Sequence, residues 1–482
     1  MTTSAGPSKP GEARARSEPQ ASEVTTGRRP LTGAVRRLPL TGADGFLRAF
    51  DADTRRRNGA SHLAQVVLRL GPGFDAEAFR AVLADVARAN PILRAPIGRT
   101  LGLGTPSYRL DAARDEGWPA FTVHPAAAAP APQAGLPPVP ELFFQRLNEV
   151  RHARRGELLR VDAVPRDGEQ PGTDLAFTWL HMLLDGSGSE RFLRFLEERR
   201  AGTAPPVPFA DRPGAPLDHP LHVSARERGA MAMTWQRRMQ ELGAIPVRSL
   251  AGPARSVRQD LVYDLLSFSA EESAHILSRA ARLAGFLTPT LFYMAAALRA
   301  HDAVLRARGT VPGSYVVPLP VDLRPKGGEG AVFRTRVSMI WLQVLAERTG
   351  DLDVLLADLK EMRRQAIREH QVENGVAAMS YALLAPAHVY AYLTRRSLRG
   401  ELCSFLFAWT GGFCDGLGSF FGAPVLDGFH APSVPASPGS GVFFSQHGER
   451  LHMTHVRQQG VLSEAELERF RGSLVRDLTG AA

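Results

Sequence analysis

The stretch Asp174–Arg200, DLAFTWLHMLLDGSGSERFLRFLEERR, decides how this chain is read. Asp174 to Leu180 is an apolar run of strand formers that ends on His181. Asp185 and Gly186 follow in a His-x-x-x-Asp-Gly pattern, and an amphipathic helix comes next. An imidazole held at the end of a buried strand suits a general base. Neutral histidine can take an acceptor's proton near pH 7, provided the scaffold fixes its tautomer and ring direction. A carboxylate four residues on, in the same turn, is badly placed to stack beside the ring as a relay. It can instead lock the loop by pairing with an arginine elsewhere. Gly186 leaves either open space or unusual dihedrals beside the ring. The helix beginning near Ser187 brings its positive end close. A lone histidine on an apolar strand is more often a satisfied core residue than a catalyst, and the spacing alone does not separate the two readings.

The composition sets outer limits. With 482 residues, 44% hydrophobic and 22% charged, the chain can build two substantial cores of ordinary globular type. Cys403 and Cys414 make no metal-ligand or CxxC spacing, so a reducing compartment is the simple reading. No apolar run reaches membrane-spanning length, and the N-terminus has no signal-peptide core, so a cytoplasmic protein is expected. The net charge is +9, and residues 1–38 supply +4 of it from seven Lys/Arg against three Glu. Residues 1–37 form a Pro/Ser/Thr/Gly-rich basic tail that is expected to be disordered. The mild positive remainder favours anionic partners: a phosphorylated cofactor, an acidic carrier protein or a membrane surface. No basic–aromatic motif accompanies it, so nucleic acid is not expected.

Strands and helices alternate on both sides of a Pro/Gly-rich stretch at 201–216. In the first half, SHLAQVVLRL reads as a strand and GFDAEAFRAVLADVARAN as a helix ended by Asn90-Pro91, with a strand starting at Ile92. ELFFQRLNEV reads as a helix; ELLRVDAVP and DLAFTWLH read as a hairpin across RDGEQPG. The Ala/Pro segment HPAAAAPAPQAGLPPVPE reads as a surface loop. SARERGAMAMTWQRRMQEL reads as a connecting helix. The second half opens with the strand LVYDLLSFS. Ser269 and Glu272 then form a capping box on a helix closed by Gly285. A buried helix (TPTLFYMAAALRAHDAVLRARG), two strands (GSYVVPLPVDLRP and RTRVSMIWLQVL), a further helix, a hairpin turning at Gln446–Glu449 and a last helix complete it. The expected fold is therefore α/β (α+β), with two lobes, each a mixed sheet with flanking helices. The lobes are placed at 38–215 and 251–482, joined by a helical segment at 216–250.

LHMLLDG at Leu180–Gly186 matches all but the first His of HHxxxDG. That signature lies after a strand and before a helix in the chloramphenicol acetyltransferase-like acyltransferases. The family includes nonribosomal peptide condensation domains and wax ester synthase/diacylglycerol acyltransferases. FDAEAFRAVLADVARANPILRAPI resembles its first helix and following strand. PVDLRP followed by RTRVSMIWLQV resembles the Arg-containing and NRVSM-like strands of the wax ester synthase branch. The resemblance runs over about 40–470. It implies two chloramphenicol acetyltransferase-like lobes with an active-site tunnel between them. It implies His181 as general base, Asp185 in a structural ion pair with Arg324 of DLRP, and Gly186 keeping the passage open. Ser338, Trp409 and Thr410 are assigned to the tunnel wall. It implies a stand-alone acyltransferase with no bound cofactor and no metal. Its donor would be acyl-CoA or a phosphopantetheinyl carrier protein, and its acceptor a small hydroxyl or amine compound, in secondary or lipid metabolism. A wax ester or triacylglycerol synthase at a membrane surface, and an inactive recruiting module, are the alternatives. Leu180 in place of the first His and Thr335 in place of Asn depart from the pattern, and the DFGWG motif of the plant branch is absent, LDGFH at Leu426–His430 standing roughly there.

Other candidates are weaker. His219 and His222 lack companion ligands for a metal. His452 and His455 lie three apart on a strand and should face opposite sides. Ser440, flanked directly by glycines, is not a GxSxG elbow. No Walker A loop or GxGxxG is present, which disfavours ATP hydrolysis and dinucleotide chemistry.

Overall fold

A short strand, β1 (Arg37–Pro39), leads into helix α1 (Gly42–Arg57). The helix starts on a capping box: Asp44 N donates to Thr41 Oγ1 at 2.9 Å and Thr41 N donates back to the Asp44 carboxylate at 2.9 Å. The computed structural model describes residues 37–100, 103–112, 119–126, 138–208, 223–252, 259–286, 289–324 and 331–480. The basic tail, most of the Ala/Pro segment, and His219 and His222 lie outside the described residues.

The first lobe continues with β2 (Leu63–Leu70), α2 (Ala76–Ala89), β3 (Ile97–Thr100), β4 (Leu103–Arg109), β5 (Ala120–Val123) and α3 (Glu141–Arg146), then β6 (Leu159–Arg166), β7 (Gly172–Leu180) and α4 (Gly186–Arg200). Helix α2 ends before Pro91, as expected. No strand begins at Ile92, however. Pro91 starts a short 3-10 turn over Pro91–Arg94, and the next strand begins only at Ile97. Proline at the first position of such a turn costs nothing, because its missing N–H would have had no partner there. The expected hairpin of β6 and β7 is present as an antiparallel pair, Leu159 opposite Trp179 through Arg166 opposite Gly172.

Helix α5 (Ala225–Leu242), capped by Ser224 and Glu227, leads to the second half. There follow β8 (Leu261–Ser267), α6 (Ala270–Ala284), α7 (Pro289–Ala307), β9 (Ser314–Asp322) and β10 (Val337–Leu345), then α8 (Leu352–Arg368), α9 (Gln371–Ala382) and α10 (Ala387–Arg396). The chain closes with β11 (Leu406–Gly412), β12 (Ser419–Phe420), β13 (Ala423–His430), β14 (Ser440–His447), β15 (Arg450–Gln458) and α11 (Glu464–Thr479). The Ser269–Glu272 capping box forms on α6. Helix α7 is buried nearly all round, which explains why its sequence is apolar on every face.

Two mixed sheets result. One runs β12-β13-β2-β7-β6-β5, with β5 and β6 parallel and the rest antiparallel. The other runs β11-β14-β15-β8, with β11 and β14 parallel. Strand β13 comes from the second half of the chain but pairs with β2 of the first, Val425 opposite Leu70 through His430 opposite Val66. It covers the edge that β2 would otherwise leave open. A division of the chain at 216–250 therefore cuts across one sheet. Each sheet has its own apolar core, the second built around α7.

Candidate active site

The motif sits where β7, flanked by β2 and β6, runs out of the sheet. Its loop is held by two donors from distant places and one from β7 itself. Tyr108 Oη donates to the carbonyl of Met182 at 2.9 Å, Arg334 N to that of Leu183 at 2.7 Å, and Trp179 Nε1 to that of Leu184 at 2.8 Å. With its buried carbonyls satisfied, the loop has little freedom to move His181.

The His181 Nδ1 atom is buried without a well-aligned hydrogen-bond partner, while Nε2 opens to the cavity that the ring lines. Burial holds this imidazole below its usual range; its own carbonyl, Asp185 and the Leu184 carbonyl pull the other way and lose. The ring is therefore neutral at pH 7. The nearby carbonyls favour the proton on Nδ1, which leaves the Nε2 lone pair facing the cavity.

A second imidazole lies against it. His62 stacks on His181, with ring centroids 5.3 Å apart and planes 20° from parallel. Strand register places it there: Leu63 is opposite Leu180, and His181 N donates to the His62 carbonyl at 3.2 Å. Ser433 Oγ accepts from Leu63 N at 2.8 Å and lies 2.8 Å from the Leu63 carbonyl and 3.2 Å from His62 Nδ1, which fixes the ring's position. Burial and the neighbouring His181 push the His62 pKa well below the ordinary histidine value. Both rings are neutral together.

Asp185 does what the sequence suggests for it, and more. It caps α4, accepting from Gly188 N at 2.7 Å. It also accepts from Arg336 N at 2.7 Å and from Arg324 Nη1 at 3.0 Å. The ion pair is buried, with side-chain exposures of 1% for Arg324 and 3% for Asp185. Burial works against the Arg324 charge, but Asp185 and then Asp322 outweigh it and raise its pKa. The pair ties the motif loop to the end of β9.

Gly186 is open space and not a special backbone position. A Cβ there would meet only Thr410 Cγ2, at 3.6 Å. The tightly packed glycine of this turn is Gly188, where a Cβ would come within 2.5 Å of the Val332 carbonyl oxygen.

His181, Asp185, Gly186, Trp409 and Thr410 all line one cavity of about 390 Å³. Its walls are mainly apolar, with Phe50, Trp179, Leu406 and Phe443 among them. Elements from both halves of the chain enclose it. Thr335 also lines it, and its Oγ1 is buried without a partner. Ser338 does not belong to this chamber. It donates to the Val372 carbonyl at 2.9 Å and borders a separate cavity of about 150 Å³ beside Trp235 and Trp341.

By sequence the chain matches no family model and no curated protein. Solved structures resemble it over most of its length. TRI3 trichothecene 15-O-acetyltransferase from Fusarium sporotrichioides superposes with a TM-score of 0.64 at 13% identity, over 92% of this chain and 95% of that one. The first condensation domain of the CDA synthetase gives 0.60 at 15%, over 92% and 95%. Polyketide synthase associated protein 5 from Mycobacterium tuberculosis gives 0.58 at 15%, over 92% and 99%. The chain has the condensation-domain fold. Within that fold its departure from HHxxxDG takes a definite form. Leu180 is fully buried in the sheet, and the second imidazole comes from the neighbouring strand as His62.

His301, His452, His455, Cys403 and Cys414 do not line this chamber. His452 and His455 face opposite sides of β15. His452 contacts Asp427 Oδ1 at 2.6 Å and Ser267 Oγ at 2.9 Å, while His455 contacts Ser440 Oγ at 3.2 Å. Ser440 is fully buried between His455 and His301. Cys403 and Cys414 are buried thiols with pKa values pushed up by burial. Among the described residues, no group of three or more His, Cys, Asp or Glu is placed to hold a metal. His62, Gly188 and Arg334 were not legible as site residues. The available signal for His62 was the histidine that opens the strand SHLAQVVLRL.

Proposed function

We propose that this chain is an acyltransferase. It moves an acyl group from a coenzyme A or carrier-protein thioester to the hydroxyl or amine of a small acceptor. The observation that carries this is His181 Nε2, unpartnered and open to an apolar chamber, on a loop whose Met182, Leu183 and Leu184 carbonyls all accept hydrogen bonds. Nε2 takes the acceptor's proton as its oxygen or nitrogen attacks the thioester carbonyl carbon. The C–S bond then breaks and the imidazolium returns the proton to the departing sulfur, giving ester or amide plus free thiol. Asp185 holds the loop through Arg324 and takes no proton. His62 packs against the base and keeps its ring direction. The apolar walls, Trp409 and Thr410 among them, surround the acyl group and acceptor.

No single helix among the described residues is long and apolar enough to cross a membrane. The reading places the enzyme in the cytoplasm, with its substrates drawn from secondary or lipid metabolism.

The test is His181→Ala, assayed by single-turnover transfer from a panel of acyl-CoA and acyl-carrier donors. Its circular dichroism should match the parent, and its rate should fall by roughly two to four orders of magnitude. A variant within a few-fold of the parent would remove His181 from the mechanism. No transfer by the parent with any donor would favour a recruiting module that has lost its chemistry.

A further inference from the structure

On the far side of α1 from the catalytic chamber lies a larger cleft, of about 1220 Å³. Helix α1 divides the two. Phe46, Leu47 and Phe50 line the chamber, while Arg48, Asp51 and Arg55 line the cleft. The cleft reaches the motif itself, since Met182, next to His181, forms part of its wall.

The charge in this cleft is one-sided. Among the described residues, Arg48, Arg55, Arg99, Arg109 and Arg154 line it against a single carboxylate, Asp51, an excess of four positive charges. Asp51 is already engaged, paired with Arg55 Nε at 3.2 Å and accepting from His62 N at 3.1 Å. Among the described residues, Arg99 donates only to carbonyls, including those of Leu383 at 3.0 Å and Ala385 at 2.6 Å, and meets no carboxylate. The side chains of Arg48, Arg109 and Arg154 make no hydrogen bond or ion pair among the described residues. Arg48 is half-buried on α1, and burial followed by repulsion from Arg99 and Arg154 lowers its pKa. Guanidiniums held together without counter-ions suit a ligand that brings several negative charges.

We infer that this cleft binds the phosphates of coenzyme A, which makes acyl-CoA the donor. The inference rests on the acyl-transfer reading and decides between its two donors. Coenzyme A carries a pyrophosphate and a 3′-phosphomonoester, about four negative charges at neutral pH if the monoester counts about −2. That matches the excess of four in the cleft. The phosphopantetheine arm of a carrier protein carries a single phosphodiester, and would leave most of the guanidiniums without a partner. The partition of surfaces agrees: a basic cleft for the nucleotide end beside an apolar chamber for the acyl end, with the motif between them.

The experiment is calorimetric titration of the full chain with coenzyme A, dephospho-CoA and phosphopantetheine, at low and at moderate salt. Coenzyme A should bind most tightly, and loss of the 3′-phosphate should weaken binding about tenfold, the size of a lost charge-assisted contact. Arg48→Ala/Arg154→Ala should weaken coenzyme A at least tenfold and flatten the salt dependence. Arg364→Glu, on the exposed face of α8, should change neither. His181→Ala should bind coenzyme A as the parent does, so the site is read independently of turnover. Equal affinity for coenzyme A and phosphopantetheine, or an unchanged affinity in the double variant, overturns the assignment. Arginine-dependent binding in a chain that transfers no acyl group would leave this site standing and the acyltransferase reading refuted.

Discussion

The Asp185–Arg324 pair allows a stability prediction worked from contacts. Asp185 accepts three hydrogen bonds, from Gly188 N, Arg336 N and Arg324 Nη1. Asp185→Asn removes the charge and replaces one acceptor oxygen by an NH₂ group. One face of the amide must then meet a donor, either Arg336 N or the guanidinium. Arg324 would keep Asp322, 3.1 Å away and 38% exposed, so its charge is not wholly stranded. The cost should lie at the lower end of the range for breaking a buried pair, about 3 kcal/mol. Arg324→Met leaves Asp185 with its two backbone donors but takes the Nε donor from the Ala331 carbonyl, 2.9 Å away. That loss is also about 3 kcal/mol. In Asp185→Asn/Arg324→Met no buried charge is left unpaired, since Asp322 is 38% exposed, and the amide can turn its oxygen to the remaining donors. The double variant should therefore lose about 3–4 kcal/mol rather than the sum of the singles. Urea unfolding midpoints at unchanged slope read this directly. Additivity of the two singles within about 0.5 kcal/mol would refute the reasoning, because it would mean the two side chains do not act on each other.

Other outcomes follow from the same geometry. Because burial lowers the His181 pKa, kcat/KM should be flat from pH 7 to 8 and fall only below the ordinary histidine value of 6.5; an acid limb centred above 7 would contradict a buried neutral base. Gly186→Ala should fold like the parent. Gly188→Ala, whose Cβ would press on the Val332 carbonyl oxygen at 2.5 Å, should lower stability by about 1–3 kcal/mol, a contrast that thermal melts will show. His301, buried, hydrogen-bonded to Ser440 and stacked on Phe405, has its pKa pushed down to about 4. The unfolded chain binds this proton below about pH 6.5 and the folded chain does not. Stability is thus complete above 6.5 and falls by about 3 kcal/mol as the pH drops to 4. Urea midpoints across that window, compared with those of His301→Phe, measure it.

Long periodic segments were the easiest to read, and they form where the pattern places them. The capping boxes at Ser224 and Ser269, the buried helix α7 and the hairpins β6–β7 and β14–β15 are local in origin, so a local pattern suffices. Three helices escaped. Helix α1 opens next to the polar tail and carries three successive arginines in its last turn, which gives it a polar appearance although ten of its residues are buried. Helices α9 and α10 are short and mix aromatic with polar residues. The crossing of β13 into the first sheet could not be read either, because nothing within APVLDGFH says which edge it covers. Pairing partners far apart in sequence are a property of the assembled fold.

The same division between local and assembled information runs through the site. The pairing of Asp185 with Arg324 was legible because both residues belong to recognisable motifs, although 139 positions separate them. His62 and the cleft were not, and for one reason: both depend on α1 and on strand register. The histidine just before β2 faces the His181 ring only because Leu63 pairs with Leu180. It is kept there by Asp51, which projects from α1 and accepts from its backbone N–H. That carboxylate also pairs with Arg55, and so belongs to the lining of the basic cleft. One turn of α1 thus touches the layer behind the His181 imidazole and the place where we locate the donor's phosphates. Filling the cleft with a polyanion would compete with Asp51 for Arg55, and the contact from Asp51 to His62 is the route by which occupancy could be felt at His181. If that route operates, bound coenzyme A should shift the His181 imidazole resonances in an NMR titration of the parent. The shift should shrink when Asp51→Asn weakens the link, and an equal shift in both proteins would show that the cleft and the base are uncoupled.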